Sequence, residues 1–583
     1  MLRNRNNGEL RLANVNEKVT LVGWVSKKRN LGSLVFIDLR DRWGITQIIL
    51  EESSFPIVKD IKSEYIIQVT GTVQAKEVPN KKLKTGEIEV LAEDIKIINS
   101  AALPPFLIQD DTDALEDTRL KYRYLDLRRP IMQEYLMNRA KITKACHNFL
   151  DRNEFVEVET PILCLSTPEG ARDYLVPSRT RPGSFYALPQ SPQLFKQLLM
   201  VGGMERYYQV ARCFRDEDLR ADRQPDFTQV DVEASFMDMD DILTLGEGLV
   251  KEIFKEAKGM DIPTPFRRLT YDYCIDTYGS DKPDTRFGLE LHNISHILSK
   301  SSAEFYQNAK TIRCIVVPGV ASSTSRKVQD NLDLTAKKFG IGKFGFFKFL
   351  NGKLESSLLK FVNEELQEEL IKELGLKEND LVIVGQGNRM RVTACLGALR
   401  CEYGKSLNLY DPKSYDFLWV VEFPLFDHDE ETNTVSPSHH PFTKPLDRDV
   451  HLLKDHPEKV YAAAYDIVIN GYEAGGGSLR IYDQEEQKQI FEILGFSEEE
   501  IQAKFGFFVN ALKYGVPPHG GFALGLDRMA MLINHTDNIK DVIAFPKNLS
   551  AVCPMSLAPM PVDKQQLDDL FIELKKGEYF NIN

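Results

Sequence analysis

Residues 206–236 read RYYQVARCFRDEDLRADRQPDFTQVDVEASF, and the fold turns on this stretch. Two runs of alternating polarity flank a charged loop from Asp216 to Asp226, the pattern of an antiparallel hairpin with a long connection. In the second run Thr228, Val230 and Val232 share one face, and Phe227, Gln229, Asp231 and Glu233 share the other. In the first run Arg215 shares a face with Gln209, Ala211 and Cys213. Two readings stand side by side. The polar face is the solvated outside of a two-layer sheet, or it is a platform for a polar ligand, with Phe227 stacking on a base and Arg215 taking a phosphate in its fork.

Three further segments bear on the choice. Ser191-Pro192 reads as a helix start, with Ser at the cap and Pro first. Gln193, Lys196 and Gln197 then share one helix face, and Leu194, Leu198 and Leu199 form an apolar stripe. A lysine in a first turn opposes the helix dipole, a cost that a nearby anion would offset. In Tyr465–Ile481, Asp466 and Glu473 lie seven residues apart and would face opposite sides of a straight strand. Asn470-Gly471 is a turn or bulge signal, and one residue of bulge restores a common face. Two carboxylates near a triphosphate suit magnesium, a hard cation that takes oxygen ligands. Gly475, Gly476 and Gly477 would let the backbone approach a ligand, and Arg480 follows them. The plain alternative is a tight turn with surface charges. Finally, Gly520–Gly525 reads as a strand and Leu526 opens a helix, which puts Arg528 at a helix N-terminus, a place that favours phosphate. The alternative there is an Arg528–Asp527 pair. Neither GxxxxGK[ST] nor GxGxxG is present, so a nucleotide here is not held by a P-loop or a Rossmann turn.

Upstream, residues 18–98 read as five strands, Val19–Lys28, Leu34–Asp41, Ile45–Leu50, Tyr65–Gln74 and Glu87–Ile98, suited to a small closed barrel of the OB type. Phe36 falls on the polar face of its strand near Arg29, as a ring that stacks on an unpaired base would. A long amphipathic helix is expected over Ile131–Arg152. Residues 288–415 are rich in Lys, Glu and Gly, with helix-like runs such as Leu354–Leu374, and read as an insertion.

The whole chain has 583 residues, too many for one core. Its net charge of −13 argues against coating nucleic acid by charge alone. Eight scattered cysteines form no Cys-x-x-Cys pair, which fits reduced thiols rather than disulfides or zinc. No run resembles a signal peptide or a membrane span. A cytoplasmic protein with no membrane partner is expected.

Taken together and in order, these segments resemble the bacterial aspartyl-tRNA synthetases, over nearly the whole length. Phe155-Val-Glu-Val-Glu-Thr-Pro161 is similar to class II motif 1, whose proline lies at the family's dimer interface. Phe214–Gln229 is similar to motif 2, Gly525-Leu-Asp-Arg528 to motif 3, and Thr167-Pro-Glu-Gly-Ala-Arg172 to the flipping loop over the amino-acid site. The resemblance implies an α+β protein, with an N-terminal OB-fold barrel for the anticodon (1–106), a linker (107–130), an antiparallel-sheet catalytic domain in two parts (131–287 and 416–556), an inserted α+β domain (288–415) and a C-terminal extension (557–583). It implies that Arg215 holds the α-phosphate of ATP and Arg528 the γ-phosphate, that Phe227 stacks on adenine, and that Asp216, Glu217, Gln224, Glu473, Gly525, Leu526 and Asp527 also approach the nucleotide. Asp466 and Glu473 would ligate magnesium. Gln193, Lys196, Arg215, Asp231, Arg480 and one of His439 and His440 would surround aspartate, with Glu169 in the closing loop. Arg29, Phe36 and Gln47 would contact the anticodon of tRNA(Asp).

The implied chemistry forms aspartyl-adenylate and then loads the tRNA, in a homodimer. Lys27-Lys28 and Asn30 depart from the family's usual residues, all within the barrel, and Leu31 stands where relatives that also charge tRNA(Asn) tend to carry His. Three other readings compete: an asparagine- or lysine-loading relative, a non-catalytic RNA-binding paralogue, and an amide-forming ligase without tRNA. Arg480 favours an anionic substrate over the first. The presence of Arg215, Asp466, Glu473 and Arg528 together weighs against the second, and the barrel against the third.

Overall fold

The computed structural model describes residues 2–167, 170–429 and 434–575. The first five strands, Lys18–Leu31, Leu34–Asp41, Gly44–Glu51, Ile66–Ala75 and Ile88–Asn99, close into a barrel in which the last two lie in the order fifth, fourth. Alternation drives the closure. Val19, Leu21, Val35, Ile37, Leu39, Ile48, Ile67, Val69 and Val90 point inward and are almost wholly buried, while their neighbours face out. The expected strands are thus present: Leu34–Asp41 falls as read, and the others are longer by a residue or a few or shifted by one. Arg40 departs from the alternation. It is buried, and its guanidinium meets both oxygens of Glu64 at 2.8 Å. Arg128 reaches the same carboxylate at 2.9 Å, so the linker is clasped to the barrel. Buried Asp126 in turn holds Arg123 and Arg129 at 2.8 Å each, and Arg123 donates to the carbonyls of Lys540, Ile543 and Ala544.

The long helix runs Pro130–Arg152, with proline at its first turn. Beside it lies an eight-stranded sheet in the order Arg267–Thr270, Phe417–Val421, Ala464–Ile469, Tyr472–Leu479, His519–Gly525, Asp226–Ser235, Arg206–Phe214, Val156–Glu157. It is antiparallel except for its two outermost pairs. One face carries Val230, Val232, Trp419, Tyr465, Ile467, Phe522 and Leu524, packed with the helices Pro130–Arg152, Met239–Lys258 and Leu526–Ile533. That covered face is why the alternation of Asp226–Ser235 holds, and it leaves the opposite face for polar side chains.

Between Thr270 and Phe417 the chain builds a separate five-stranded sheet, in the order His292–Asn293, Thr311–Val317, Leu381–Gly387, Gly345–Leu350, Lys353–Glu355. Apolar cores lie on both its sides. Of the helix-like run over Leu354–Leu374, Glu364–Leu374 is α-helical, capped by the Asn363 side chain, and Leu359–Phe361 is a short 3-10 turn; Lys353–Glu355 is an edge strand instead. The helix pattern was carried by apolar residues that pack here from a strand and a turn. At the root of this sheet Arg389 joins Asp272 and Asp276 at 2.8 Å, and buried Arg400 lies over the rings of Phe287 and Tyr278 at 4.1 and 4.9 Å.

Candidate functional site

The uncovered face of the large sheet opens into a cleft of about 510 Å³, within the range of small-molecule sites. Its lining brings together nearly every catalytic-domain residue singled out above: Gln193, Lys196, Arg215, Glu217, Gln224, Phe227, Asp231, His439, His440, Asp466, Glu473, Arg480, Gly525, Asp527 and Arg528. Two of the expected residues, Leu526 and Asp216, are not in the lining, and a third, Asp527, is there with its carboxylate turned elsewhere. Leu526 is buried in the apolar core, because it opens the helix on the side that packs against the sheet. Asp216 is bridged to Arg172, with an Oδ2–Nε separation of 3.7 Å. Asp527 turns its carboxylate away to Arg139 and to the amide of Thr228. Glu169 lies outside the described residues.

At one end Phe227 and Arg215 lie together, with the guanidinium carbon 5.1 Å from the ring centroid. Gln224 does not present its amide to the cleft. It exchanges two hydrogen bonds with the backbone of Lys547, at 2.9 and 2.8 Å. Glu217 accepts from Arg223 at 2.7 Å. Arg528 donates to the carbonyl of Glu473 and lies 3.4 Å from Asp222. The Nε atoms of Arg215 and Arg528 are buried without a protein partner, the condition a bound anion would relieve.

The middle is built by the hairpin Ala464–Ile469 and Tyr472–Leu479. Asn470 and Gly471 both have positive φ, 52° and 83°, as a tight two-residue turn requires. The turn itself brings Asp466 and Glu473 to one face: Val468 pairs with Glu473, and Asp466 lies two residues along from Val468 on the same side. The bulge expected for that purpose is not needed there; the one that occurs lies beyond Glu473, where Ile467 pairs with Gly475 and leaves Ala474 over. The glycines also serve another purpose than expected. A Cβ on Gly475 would come 2.4 Å from the carbonyl of Ala523, one on Gly477 1.9 Å from that of Gly521, and one on Gly476 2.0 Å from Oδ1 of Asp466. They make room for the neighbouring strands and for the Asp466 carboxylate. Burial and Asp466 both raise the Glu473 carboxyl above its ordinary range, against Arg528 and Lys282. Two hard oxygen donors that repel one another fit a divalent cation. Among the described residues no third such group joins them, so a cation would complete its shell from phosphate and water. His439 stands 3.7 Å from Asp466, which raises the imidazole against the opposing effect of burial.

At the far end a buried ionic set replaces the free cations that were expected. Lys196 meets Asp231 at 3.1 Å and Glu233 at 3.3 Å, so its place in a first turn is compensated by protein carboxylates. The helix itself begins one residue later than read, at Gln193, with Pro192 at the cap. Every nitrogen of Arg480 has a protein partner: Nε and Nη2 donate to Glu233 at 2.9 and 3.2 Å. Nη1 donates to Ser478 Oγ at 2.7 Å and lies 2.6 Å from Nε2 of His440. Burial opposes ionisation of Glu233, yet Arg480 and Lys196 outweigh it and draw the carboxyl down to about 2. Burial and then Arg480 push His440 well below the ordinary imidazole range, so it is neutral. Asp231 keeps Oδ2 without a partner, and Gln193 its Nε2. The set is a polar, desolvated corner whose unpartnered atoms are one acceptor and one donor. Sequence reasoning placed Glu233 on the ligand face but missed its pairing, and it did not mark Asp222, Asp281 or Phe423, which also line the cleft.

On the barrel, Arg29 pairs across strands with Phe36, and Asp38 with Gln47. Arg29 donates to Asp38 at 3.0 Å and Gln47 accepts from Lys76 at 2.7 Å. The three residues thus form one patch of the outer wall.

Comparison with known proteins gives consistent results. Residues 115–549 match the family model described as tRNA synthetases class II (D, K and N), and residues 19–98 match that of the OB-fold nucleic acid binding domain. The chain is 50% identical to an aspartate–tRNA(Asp/Asn) ligase of Geobacillus sp. strain WCH70, over 98% of this chain and 99% of that one. It is 51% identical to an aspartate–tRNA ligase of Geobacillus kaustophilus, over 97% and 98%. In fold it is similar to the asparaginyl-tRNA synthetase of Pyrococcus horikoshii with asparaginyl-adenylate, at a TM-score of 0.59 and 20% identity, covering 94% and 98%.

Proposed function

The chain belongs to the class II tRNA synthetases (D, K and N), and from that premise we propose that the cleft joins L-aspartate to ATP and passes the aspartyl group to tRNA(Asp). It is an aspartate–tRNA ligase. The observation that carries the substrate choice is the Arg480 corner. Aspartate and asparagine share a shape and differ in charge and donors, so a fixed, desolvated guanidinium is what separates them. Nη1 is the one nitrogen of the fork not bonded to Glu233, and a substrate carboxylate would take it in exchange for the Ser478 hydroxyl and neutral His440.

In the first step an α-carboxylate oxygen of aspartate bonds to the α-phosphorus of ATP, and the bond to the bridging oxygen of the β-phosphate breaks, releasing pyrophosphate. Arg215 neutralises the α-phosphate, and Phe227 offers adenine an aromatic face. Arg528 steadies the far phosphates. Magnesium on Asp466 and Glu473 would supply charge for the leaving pyrophosphate. In the second step the ribose hydroxyl of the tRNA terminus attacks the aspartyl carbonyl and AMP leaves. No side chain becomes covalently bound. Catalysis is positioning and charge neutralisation in a water-poor cleft.

The barrel patch of Arg29, Phe36 and Gln47 reads the anticodon. The protein works as a cytoplasmic homodimer; no helix among the described residues is long and apolar enough to cross a membrane. The test is pyrophosphate exchange without tRNA, run with aspartate, asparagine and lysine in turn. Aspartate alone should support it. Comparable exchange with asparagine would overturn the role given to Arg480.

A further inference from the structure

The helix Pro130–Arg152 grips the helix Leu526–Ile533 at both ends. Just past the C-terminal end, the Asn534 side chain accepts from Asn138 at 2.8 Å. In the first turn, Oδ1 of Asp527 accepts from Nη1 of Arg139. The other arm of that fork, Nη2, reaches Thr228 Oγ1 at 3.2 Å. The second Asp527 oxygen accepts from the Thr228 amide at 2.8 Å. Arg139 thus joins the long helix, the strand Asp226–Ser235 and the start of the helix that carries Arg528. Asp527 and Arg528 line the cleft, and Arg139 stands behind them outside it. Asp527 is only 2% exposed, so little water screens its charge. Its neighbour Arg528 donates to the carbonyl of Glu473, lies 3.4 Å from Asp222, and keeps Nε buried without a protein partner. Among the described residues the two neighbours form no pair with each other: the acid is held by Arg139, and the base is left partly free.

We propose that Arg139 is a positioning residue for the triphosphate of ATP: by holding Asp527 it keeps that carboxylate away from Arg528, whose guanidinium is left for the far phosphates. The inference rests on the reading of the cleft as an ATP-activating site. A buried carboxylate next to a phosphate-binding guanidinium does harm in two ways. It repels phosphate oxygens, and it can take their place on the guanidinium. Arg139 removes both effects. Its planar fork holds Asp527 and Thr228 together, which a point charge does not reproduce. The acid has its own use at this point. It ties Thr228, the neighbour of Phe227, to the residue before Arg528, so the aromatic platform and the phosphate clamp are kept at a fixed separation. A carboxylate in a first helical turn also suits the helix dipole.

The experiment uses the full chain with Arg139→Gln, Arg139→Lys and the double variant Arg139→Gln with Asp527→Asn. Binding of ATP and of AMP is measured at equilibrium, next to aspartate-dependent pyrophosphate exchange. Arg139→Gln should weaken ATP and raise its KM by ~10-fold, the effect of losing one charge-assisted contact. AMP has no phosphate beyond the first, and its affinity should stay within about 2-fold. Arg139→Lys should lose about 3-fold, on ATP alone. The double variant should recover most of the loss, because a neutral amide still accepts from Thr228 but no longer competes for Arg528. Unchanged ATP affinity in Arg139→Gln overturns the inference. So does an equal loss for ATP and AMP, which marks a merely structural residue, and so does a double variant no better than Arg139→Gln. If Arg139→Gln does not fold, Arg139→Lys decides, and ATP affinity equal to the parent's overturns the inference. A parent protein that bound ATP but showed no aspartate-dependent exchange would sink the functional reading instead, and the comparison of ATP with AMP would still decide on Arg139.

Discussion

Arg480 and Glu233 must be considered as a pair. Replacing one partner of a buried ion pair leaves the other charge uncompensated, typically a loss of about 3–5 kcal/mol in stability; Lys196 at 3.3 Å from Glu233 softens it here. Arg480→Leu therefore mixes lost specificity with lost stability. The cleaner variant is Arg480→Lys, which keeps a charge for Glu233 but not the fork. It should lower kcat/KM for aspartate by roughly 30-fold or more, as losing part of a desolvated pair costs about 2 kcal/mol or more, with ATP binding kept through Arg215 and Arg528. Steady-state exchange with both substrates varied checks this, and a change of only a few-fold would move side-chain recognition to another residue. Glu233 also has a signature in pH. Its carboxyl falls from an ordinary 4.5 to about 2 on folding, so it contributes stability in full above 4.5 and loses it as pH drops through the window from 4.5 to 2. Glu233→Gln should flatten that part of the acid limb in urea unfolding. An acid limb identical to the parent's would mean that Glu233 is not held as an ion.

At the scale of elements, the hairpin Ala464–Leu479 shows what a sequence can and cannot disclose. Asn470-Gly471 announced the turn, and that two-residue turn is enough to set Asp466 and Glu473, seven residues apart, on one face. The bulge that does occur, at Ala474, changes the register of the glycines beyond it against the strand His519–Gly525, which local sequence does not encode. The glycines were legible as a need for space, but not whose space. Gly476 makes room for the Asp466 carboxylate, so Gly476→Ala should displace that carboxylate while the sheet stays intact. The expected outcome is a higher magnesium requirement for exchange, by about 10-fold or more if one charged contact is lost, with little change in the unfolding midpoint. Magnesium titrations of both proteins decide it, and coincident curves would detach Gly476 from the metal. The Arg480–Glu233 pair was illegible for a similar reason. Its members are 247 residues apart in sequence, and each has a locally adequate explanation without the other. Leu526 was misplaced because proximity to Arg528 in sequence is not proximity in space on a helix, where adjacent residues point about 100° apart.

At the scale of the whole molecule, the proposed tRNA selectivity and the proposed assembly turn on surfaces outside the cleft. Leu31 lies at the tip of the first barrel hairpin and is 71% exposed. An apolar side chain there offers no hydrogen bond to a different anticodon base, so the chain should charge tRNA(Asp) well and tRNA(Asn) poorly; comparable rates with the two purified tRNAs would contradict this. The proposed dimer has a physical argument beyond the resemblance of Phe155–Pro161 to an interface motif. The strand Val156–Glu157 is the edge of the large sheet, and free edges with apolar side chains invite pairing. The chain that follows keeps Val156, Ile162, Leu163 and Leu165 about half exposed, at 46%, 43%, 50% and 52%. A run of such residues is not stable against water unless something covers it. A second copy is the natural cover, because a two-fold axis lets the same patch meet itself. Sedimentation at micromolar concentration should therefore give a particle of twice 66.5 kDa. Leu163→Asp, a charge placed in that patch, should shift it toward the single chain and leave the unfolding of the barrel unchanged. A parent protein that sediments as one chain across that range would show that the edge is shielded in some other way, and the assembly would have to be rebuilt from another surface.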